Sequence, residues 1–381
     1  MALEDRQKLI LKAIIDDYIA TAEPVGSKTL MLRNSFNISS ATIRNEMSEL
    51  EDNGYLIHPH TSAGRIPTDK GYREYVDNLI TIPVMTDEET KRFHDYFKDG
   101  FDEITNLLHQ ASHALSQNTG YTSMTLTPRL NQSLLKQVKM LMIEPGRVLM
   151  VVVLGEGVIK DRIIRVPDML DEAQLMQISG AIETGLVGMP LEEISFITVA
   201  TAGKKAKIPE SLLNQILYET YISIKQADNI GVFLEGSNKI LEYPEFNDIK
   251  KARTYMNTLS EHGVIAGYLD EAKQELENPQ STDKIEGQAG ISLINKRPYM
   301  IRIGQEIALS GMNDCSFVTT SYQIGEKVVG SIGVIGPKRM EYGKVISQIN
   351  FVRMMINDEI RKISKTNMME VRSDEKDKKR K

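Results

Sequence analysis

Apolar side chains in the first eighty residues recur with a helical period. Between Arg6 and Ala22 they fall at Ile10, Leu11, Ile14, Ile15, Tyr18 and Ile19, one stripe along an amphipathic helix that Pro24 ends. A short second helix is expected from about Ser27 to Arg33, with Leu30 and Met31 facing inward. A turn near Ser35-Phe36-Asn37-Ile38 leads to a third helix, which Ser39 or Ser40 can cap and Asn53-Gly54 closes. Placing Ile43, Met47 and Leu50 inward turns Ala41, Asn45 and Ser48 outward, flanked by Thr42 and Arg44. Tyr55-Leu56-Ile57 then reads as a strand, His58-Pro59-His60 as its irregular end, Thr61-Ser62-Ala63-Gly64 as a turn and Arg65-Ile66 as the return before Pro67. Thr68 caps a closing helix with Tyr72, Tyr75, Val76 and Leu79 on one stripe. A helix-turn-helix followed at once by a small hairpin is a winged-helix arrangement.

The pattern changes after residue 80. One long helix is expected from about Asp87 to Gln117, because Phe97, Phe101, Ile104, Leu108, Ala111 and Leu115 alternate steps of four and three. That seam suits either a second subunit or a sheet. Apolar runs at Tyr121 to Leu126, Val138 to Ile143, Val148 to Leu154 and Val158 to Val166, with turns at Glu144-Pro145-Gly146-Arg147 and Gly155-Glu156-Gly157, suggest an antiparallel meander. Helical patterns follow at roughly 171–187, 209–226 and 247–261. Strands return at Met300 to Ile303, Cys315 to Ser321 and Lys327 to Ile335, before a final helix at about 342–364. The sum is an α+β multidomain chain in which a sensor-like sheet domain is interrupted by mostly helical sequence.

Composition narrows the classes. The 381 residues, 41% hydrophobic and 26% charged, suit two or three globular domains. No run approaches eighteen uninterrupted apolar residues, and Met1-Ala2-Leu3-Glu4-Asp5-Arg6 lacks a secretory pattern, so a cytoplasmic chain without membrane partners is expected. The single cysteine, Cys315, excludes an intrachain disulfide and a thiolate zinc cage. Net charge is -6, and residues 1–80 hold nine Lys/Arg against twelve Asp/Glu, which counts against nucleic-acid binding at domain level. The run Lys376-Asp377-Lys378-Lys379-Arg380-Lys381 reads as a solvated, disordered tail.

The third helix still has the chemistry to read DNA. Asn45 can bond bidentately to adenine and Arg44 to guanine, while Ser and Thr serve base or phosphate. The acids Glu46, Glu49, Glu51 and Asp52 begin only after Asn45. Arg65, beside a small-residue turn, is placed to reach phosphate or the minor groove. The alternative on this stretch alone is a plain three-helix packing unit with a solvated polar face. Gly330, Gly333 and Gly336 match neither a dinucleotide fingerprint nor a phosphate loop, and fit a closely packed strand. His109 and His113 stand at i, i+4 with no carboxylate or further histidine at ligand spacing beside them. No nucleophile elbow is present, and no catalytic residue, metal or cofactor is expected.

Three motifs stand in order in the N-terminal part: Glu23-Pro24-Val25-Gly26-Ser27-Lys28-Thr29-Leu30, Ser40-Ala41-Thr42-Ile43-Arg44-Asn45-Glu46-Met47, and Pro59-His60-Thr61-Ser62-Ala63-Gly64-Arg65-Ile66-Pro67-Thr68 with Gly71-Tyr72-Arg73-Glu74-Tyr75-Val76-Asp77. With Phe233-Leu234-Glu235-Gly236-Ser237, Pro244-Glu245-Phe246, Ile303-Gly304-Gln305-Glu306 and Gly333 to Tyr342, they closely resemble the heat-inducible transcription repressor HrcA family over roughly residues 1–365. That resemblance implies a winged helix-turn-helix DNA-binding domain at 1–80, a discontinuous GAF-like domain at 87–165 and 230–364, an inserted, mostly helical dimerisation domain at about 166–229, and a charged tail at 365–381. It implies a homodimeric repressor of heat-shock chaperone operons that binds an inverted-repeat operator and is kept active by the chaperonin. The groove candidates are Ser39, Ser40, Thr42, Arg44, Asn45 and Ser48; Ser27 and Lys28 position the backbone; His60, Thr61, Ser62, Gly64 and Arg65 form the wing. Two other readings stay open: a repressor answering to a small ligand or metal in the sensor-like domain, and a module whose helix-turn-helix binds protein.

Overall fold

The computed structural model describes residues 3–33, 36, 38–59, 64–98, 100–101, 104–128, 133–155, 158–227, 231–277, 298–324 and 327–378. Helix α1 spans Asp5–Thr21 and buries Ile10, Leu11, Ile14 and Ile15, the stripe expected from the period. Helix α2, Ser27–Arg33, buries Leu30, and α3, Ser40–Asp52, buries Ile43, Met47 and Leu50. The Ser39 hydroxyl caps α3 by accepting from the Thr42 amide at 3.1 Å. Strand β1 (Leu56–Ile57) pairs antiparallel with β2 (Ile66–Pro67), Leu56 opposite Pro67. Helix α4, Asp69–Glu74, is capped by Thr68 and continues as a π-turn over Tyr75–Leu79. That wider turn is where the regular stripe predicted for the closing helix departs from α geometry.

The single helix expected from Asp87 to Gln117 is two, α5 (Asp87–Tyr96) and α6 (Ile104–Thr119). Gly100 between them has φ +67, a left-handed conformation that stops an α-helix. The heptad-like residues nonetheless share one surface: the rings of Phe97 and Phe101 meet at 5.7 Å across the break, and α6 packs on β3 (Thr122–Leu126) and on the last helix. The seam is therefore filled within the subunit.

The chain then leaves this sheet. Strands β4 (Leu135–Glu144), β5 (Arg147–Leu154) and β6 (Ile159–Arg165) form an antiparallel three-stranded sheet of their own, covered on one face by α7 (Glu172–Leu186) and α9 (Glu210–Ala227), with α8 (Phe196–Gly203) between those helices. Val138, Met140, Val148, Met150, Val152 and Ile164 fill that covered face. The chain returns at β7 (Val232–Glu235), which pairs directly with β3, Ser123 opposite Glu235. The Thr127 amide bonds the Gly231 carbonyl at 2.8 Å, which closes the gap. The interrupting segment thus begins just after Thr127 and includes the meander, whereas the family resemblance implies a start at about 166. Alternation alone makes the meander an amphipathic sheet without saying which sheet.

Helices α10 (Ile249–Ser260) and α11 (His262–Glu277) follow, then β8 (Tyr299–Ile303), β9 (Cys315–Ile324), β10 (Lys327–Pro337) and α12 (Tyr342–Lys378). The larger sheet runs β7-β3-β10-β9-β8, antiparallel throughout. Helices α6 and α12 cover one face, with Val318, Tyr322, Ile332 and Val334 beneath them; α10 and α11 cover the other over Met124, Leu126, Phe317 and Ile335. A side chain at Gly333 would run into the Phe317 ring, so that glycine belongs to strand packing. Helix α12 runs well past the expected end near 364, and of the run Lys376 to Lys381 expected as a disordered tail, the backbone is helical as far as Lys378, while 379–381 lie outside the described residues. No glycine or proline follows Gly343, and Met, Glu, Lys and Arg favour helix.

Candidate nucleic-acid interface

Burial of Ile43, Met47 and Leu50 turns α3 so that Ala41, Arg44 and Asn45 are exposed, with Ser40, Thr42 and Ser48 partly so. Ser39 is exposed and spends its hydroxyl on the Thr42 amide, and the Ser48 hydroxyl donates to the Arg44 carbonyl at 3.1 Å. Lys28 is exposed on α2, whereas Ser27 is buried with its hydroxyl 3.1 Å from that of Ser40. Ser27 therefore ties the starts of α2 and α3 together. Among the described residues no hydrogen bond or ion pair engages the side chains of Lys28, Arg44 or Asn45. These three are the free polar groups of the face.

Three acids of α3 are held by other elements of the unit. Glu46 is buried and accepts from the Arg6 guanidinium of α1, and Glu49 accepts from Gln7 at 2.8 Å. Glu51 pairs with Arg65 across to the ribbon at 2.7 Å. Three of the four acids of α3 are thus engaged by side chains of α1 and the ribbon.

The ribbon is fastened to the helices at several points. Val25 and Arg65 exchange two backbone hydrogen bonds of 2.9 Å. Gly64 has φ +99, and a Cβ there would lie 2.6 Å from the Val25 carbonyl, so only glycine allows this approach. The Arg65 side chain is only 15% exposed: it meets Glu51 through one guanidinium nitrogen and the His58 ring through another. The sequence pattern aims Arg65 at DNA, whereas the structure engages it within the protein. Its partners Glu51 and His58 escaped the sequence reading because they lie fourteen and seven residues away with no local pattern joining them. His60, Thr61 and Ser62 lie outside the described residues.

Two other expectations bear on function. His109 and His113 have a carboxylate beside them after all, Glu235 of β7, with oxygens 3.2 and 3.4 Å from the two rings. Among the described residues, however, no group of three or more His, Cys, Asp or Glu side chains could hold a metal ion. A cavity of about 420 Å³ opens beside Met150, Val152, Arg162 and Ser223, in the inserted unit and not in the five-stranded sheet where an effector site is the alternative expectation. No helix of the described residues is long and apolar enough to cross a membrane.

Known proteins place this geometry in a lineage. The family described as HrcA protein C terminal domain matches residues 105–346. The heat-inducible transcription repressor HrcA of Ruminiclostridium cellulolyticum is 39% identical over 95% of this chain and 99% of its own length, and that of Acetivibrio thermocellus 38% over 95% and 98%. A crystal structure at 2.2 Å resolution, described only as that of a hypothetical protein, shares the fold with a TM-score of 0.64 at 19% identity, covering 95% of this chain and all of that one. With a family match over more than half its length and such relatives over nearly all of it, the chain belongs to the HrcA family of heat-inducible transcription repressors.

Proposed function

We propose that the protein is a homodimeric repressor of heat-shock chaperone operons, binding an inverted-repeat operator with one α3 in each major groove. In this reading residues 1–80 are a winged helix-turn-helix, the five-stranded sheet with its helices is a GAF-like domain, and β4–β6 with α7–α9 form the inserted dimerisation domain. The observation that carries it is the exposed N-terminal half of α3, where Arg44 and Asn45 stand free while Glu46, Glu49 and Glu51 are paired within the unit. A recognition helix presents that half to base edges.

Pairing of two chains is supported by the uncovered face of the small sheet. Leu141, Leu149 and Ile163 stand opposite one another across its three strands, and Leu141 and Ile163 are 57% and 51% exposed. A two-fold packing of this face on its copy would match a palindromic site. Control by the chaperonin draws its support from the family likeness. The test is an operator titration. Arg44→Ala is expected to cost about 1–3 kcal/mol and to relax preference at one base position. Lys28→Ala is expected to weaken all sequences alike and flatten the salt dependence by about one unit of slope. Unchanged affinity and preference in Arg44→Ala would remove Arg44 from base reading.

A further inference from the structure

Two family-like segments far apart in the C-terminal half meet the N-terminal unit directly, and a third braces one of them. From the segment 303–306, the Gln305 amide donates to Asp69 at 3.2 Å and Glu306 accepts from Arg73 at 3.0 Å. Arg73 also donates to the Ile301 carbonyl at 2.8 Å. From the segment 333–342, Lys338 pairs with Asp69 at 2.8 Å, and the Tyr342 ring lies 6.1 Å from that of Tyr72. From the segment 244–246, Glu245 holds the Arg339 guanidinium, which reaches the Ile19 carbonyl at the end of α1. Asp69 and Arg73 both lie on α4, so one short helix is bonded to β8, to the turn after it and to the end of β10.

We propose that Asp69 and Arg73, with Lys338 and Glu306, are positioning residues for operator recognition: they fix the angle of the N-terminal unit on the sheet domain and so set the half-site spacing that a dimer accepts. The inference rests on the operator reading above. Its physical basis is the geometry of the duplex. One added base pair turns a half-site by about a tenth of a helical turn and moves it along the axis. A rigidly mounted unit rejects that displacement and a loosely mounted one follows it. The bonds are also directional, a forked guanidinium on a carboxylate and a carboxylate on a backbone amide, which specify orientation more than a greasy contact does.

The experiment uses the full chain and two kinds of duplex, one carrying a single half-site and a set carrying the inverted repeat with the spacer lengthened or shortened by one to three base pairs. The wild type is expected to prefer one spacing. Glu306→Gln and Asp69→Asn are expected to hold half-site affinity within about twofold, to lose about tenfold at the preferred spacing, and to flatten the spacing profile. The exchange pair Arg73→Glu with Glu306→Arg is expected to restore the profile in part. If that pair fails to fold, Asp69→Asn, which removes only the charge facing Lys338, carries the same comparison against a matched thermal melt. An unchanged spacing profile in folded variants overturns the proposal, as does a loss of half-site affinity equal to the loss at the full site. A wild type that binds neither duplex overturns the operator reading itself, and the proposal with it.

Discussion

Glu51→Gln separates two roles for Arg65 by the sign of its effect. The Glu51 to Arg65 contact is 2.7 Å, with the side chains 30% and 15% exposed, so the pair is neither solvated nor fully dry. Exposed pairs contribute about 0.2–1 kcal/mol, and breaking a buried one costs about 3–5 kcal/mol. Partial burial puts the loss between these, at about 1–2 kcal/mol, or a factor of roughly 5–30 in the population with the ribbon docked. If Arg65 holds the ribbon against α3, the variant binds operator more weakly. If Arg65 instead reaches phosphate, removing a competing carboxylate frees it and takes a negative charge away from DNA, so binding tightens. Fluorescence anisotropy of a labelled operator between 50 and 200 mM salt reads both affinity and slope. Arg65→Gln is expected to match Glu51→Gln in affinity and to leave the slope unchanged. A tighter Glu51→Gln complex, or a slope smaller by about one unit in Arg65→Gln, would refute the argument.

Gly64→Ala forces a Cβ to 2.6 Å from the Val25 carbonyl at φ +99, and the combined strain and crowding are expected to cost about 2–5 kcal/mol in urea unfolding; a change under about 0.5 kcal/mol would refute the close approach of Gly64 to Val25. Burial holds the phenols of Tyr72, Tyr322 and Tyr342 well above the ordinary tyrosine range, so the unfolded chain loses these protons first. Stability should therefore be level below about pH 10 and fall above it, by up to about 1.4 kcal/mol per pH unit for each phenol, and a denaturation midpoint constant from pH 8 to 11 would contradict this.

Much of the N-terminal unit is legible because its determinants are local. Ile43, Met47 and Leu50 at i, i+4, i+7 orient α3, Ser39 caps it, and both features lie within a dozen residues. The features that were not legible depend on groups distant in sequence. The meander alternates apolar and polar residues identically whichever sheet it joins, so only the pairing of Ser123 with Glu235 reveals that it lies inside an insertion. Glu235 reaches His109 and His113 by the same route, through the pairing of β7 with β3. In the helical segment after Thr86 a local signal was present but outweighed: Gly100 marks the break, while the steps of four and three from Phe97 to Leu115 run on across it because both helices pack on the same core.

The charge balance is the case where a correct sum points the wrong way. Twelve acids against nine bases in residues 1–80 argue against a polyanion partner only if the charges act as one total. Screening limits exposed charges to a reach of about 10 Å at 0.1 M salt, so DNA would meet a face and not a domain. The structure pairs several of the acids with bases. Asp16 pairs with Lys12, Asp17 with Arg33, Glu46 with Arg6, Glu51 with Arg65 and Asp69 with Lys338. What remains beside the N-terminus of α3 is Lys28 and Arg44 with the amide ends of the helix. So small a cationic set gives a shallow salt dependence, close to one unit of slope for each phosphate neutralised. In the proposed dimer, affinity would then come chiefly from bonds that depend on sequence and from two such units acting together. An acidic module thus has a physical reason to favour its operator over bulk DNA, since it lacks the charge to bind the bulk well.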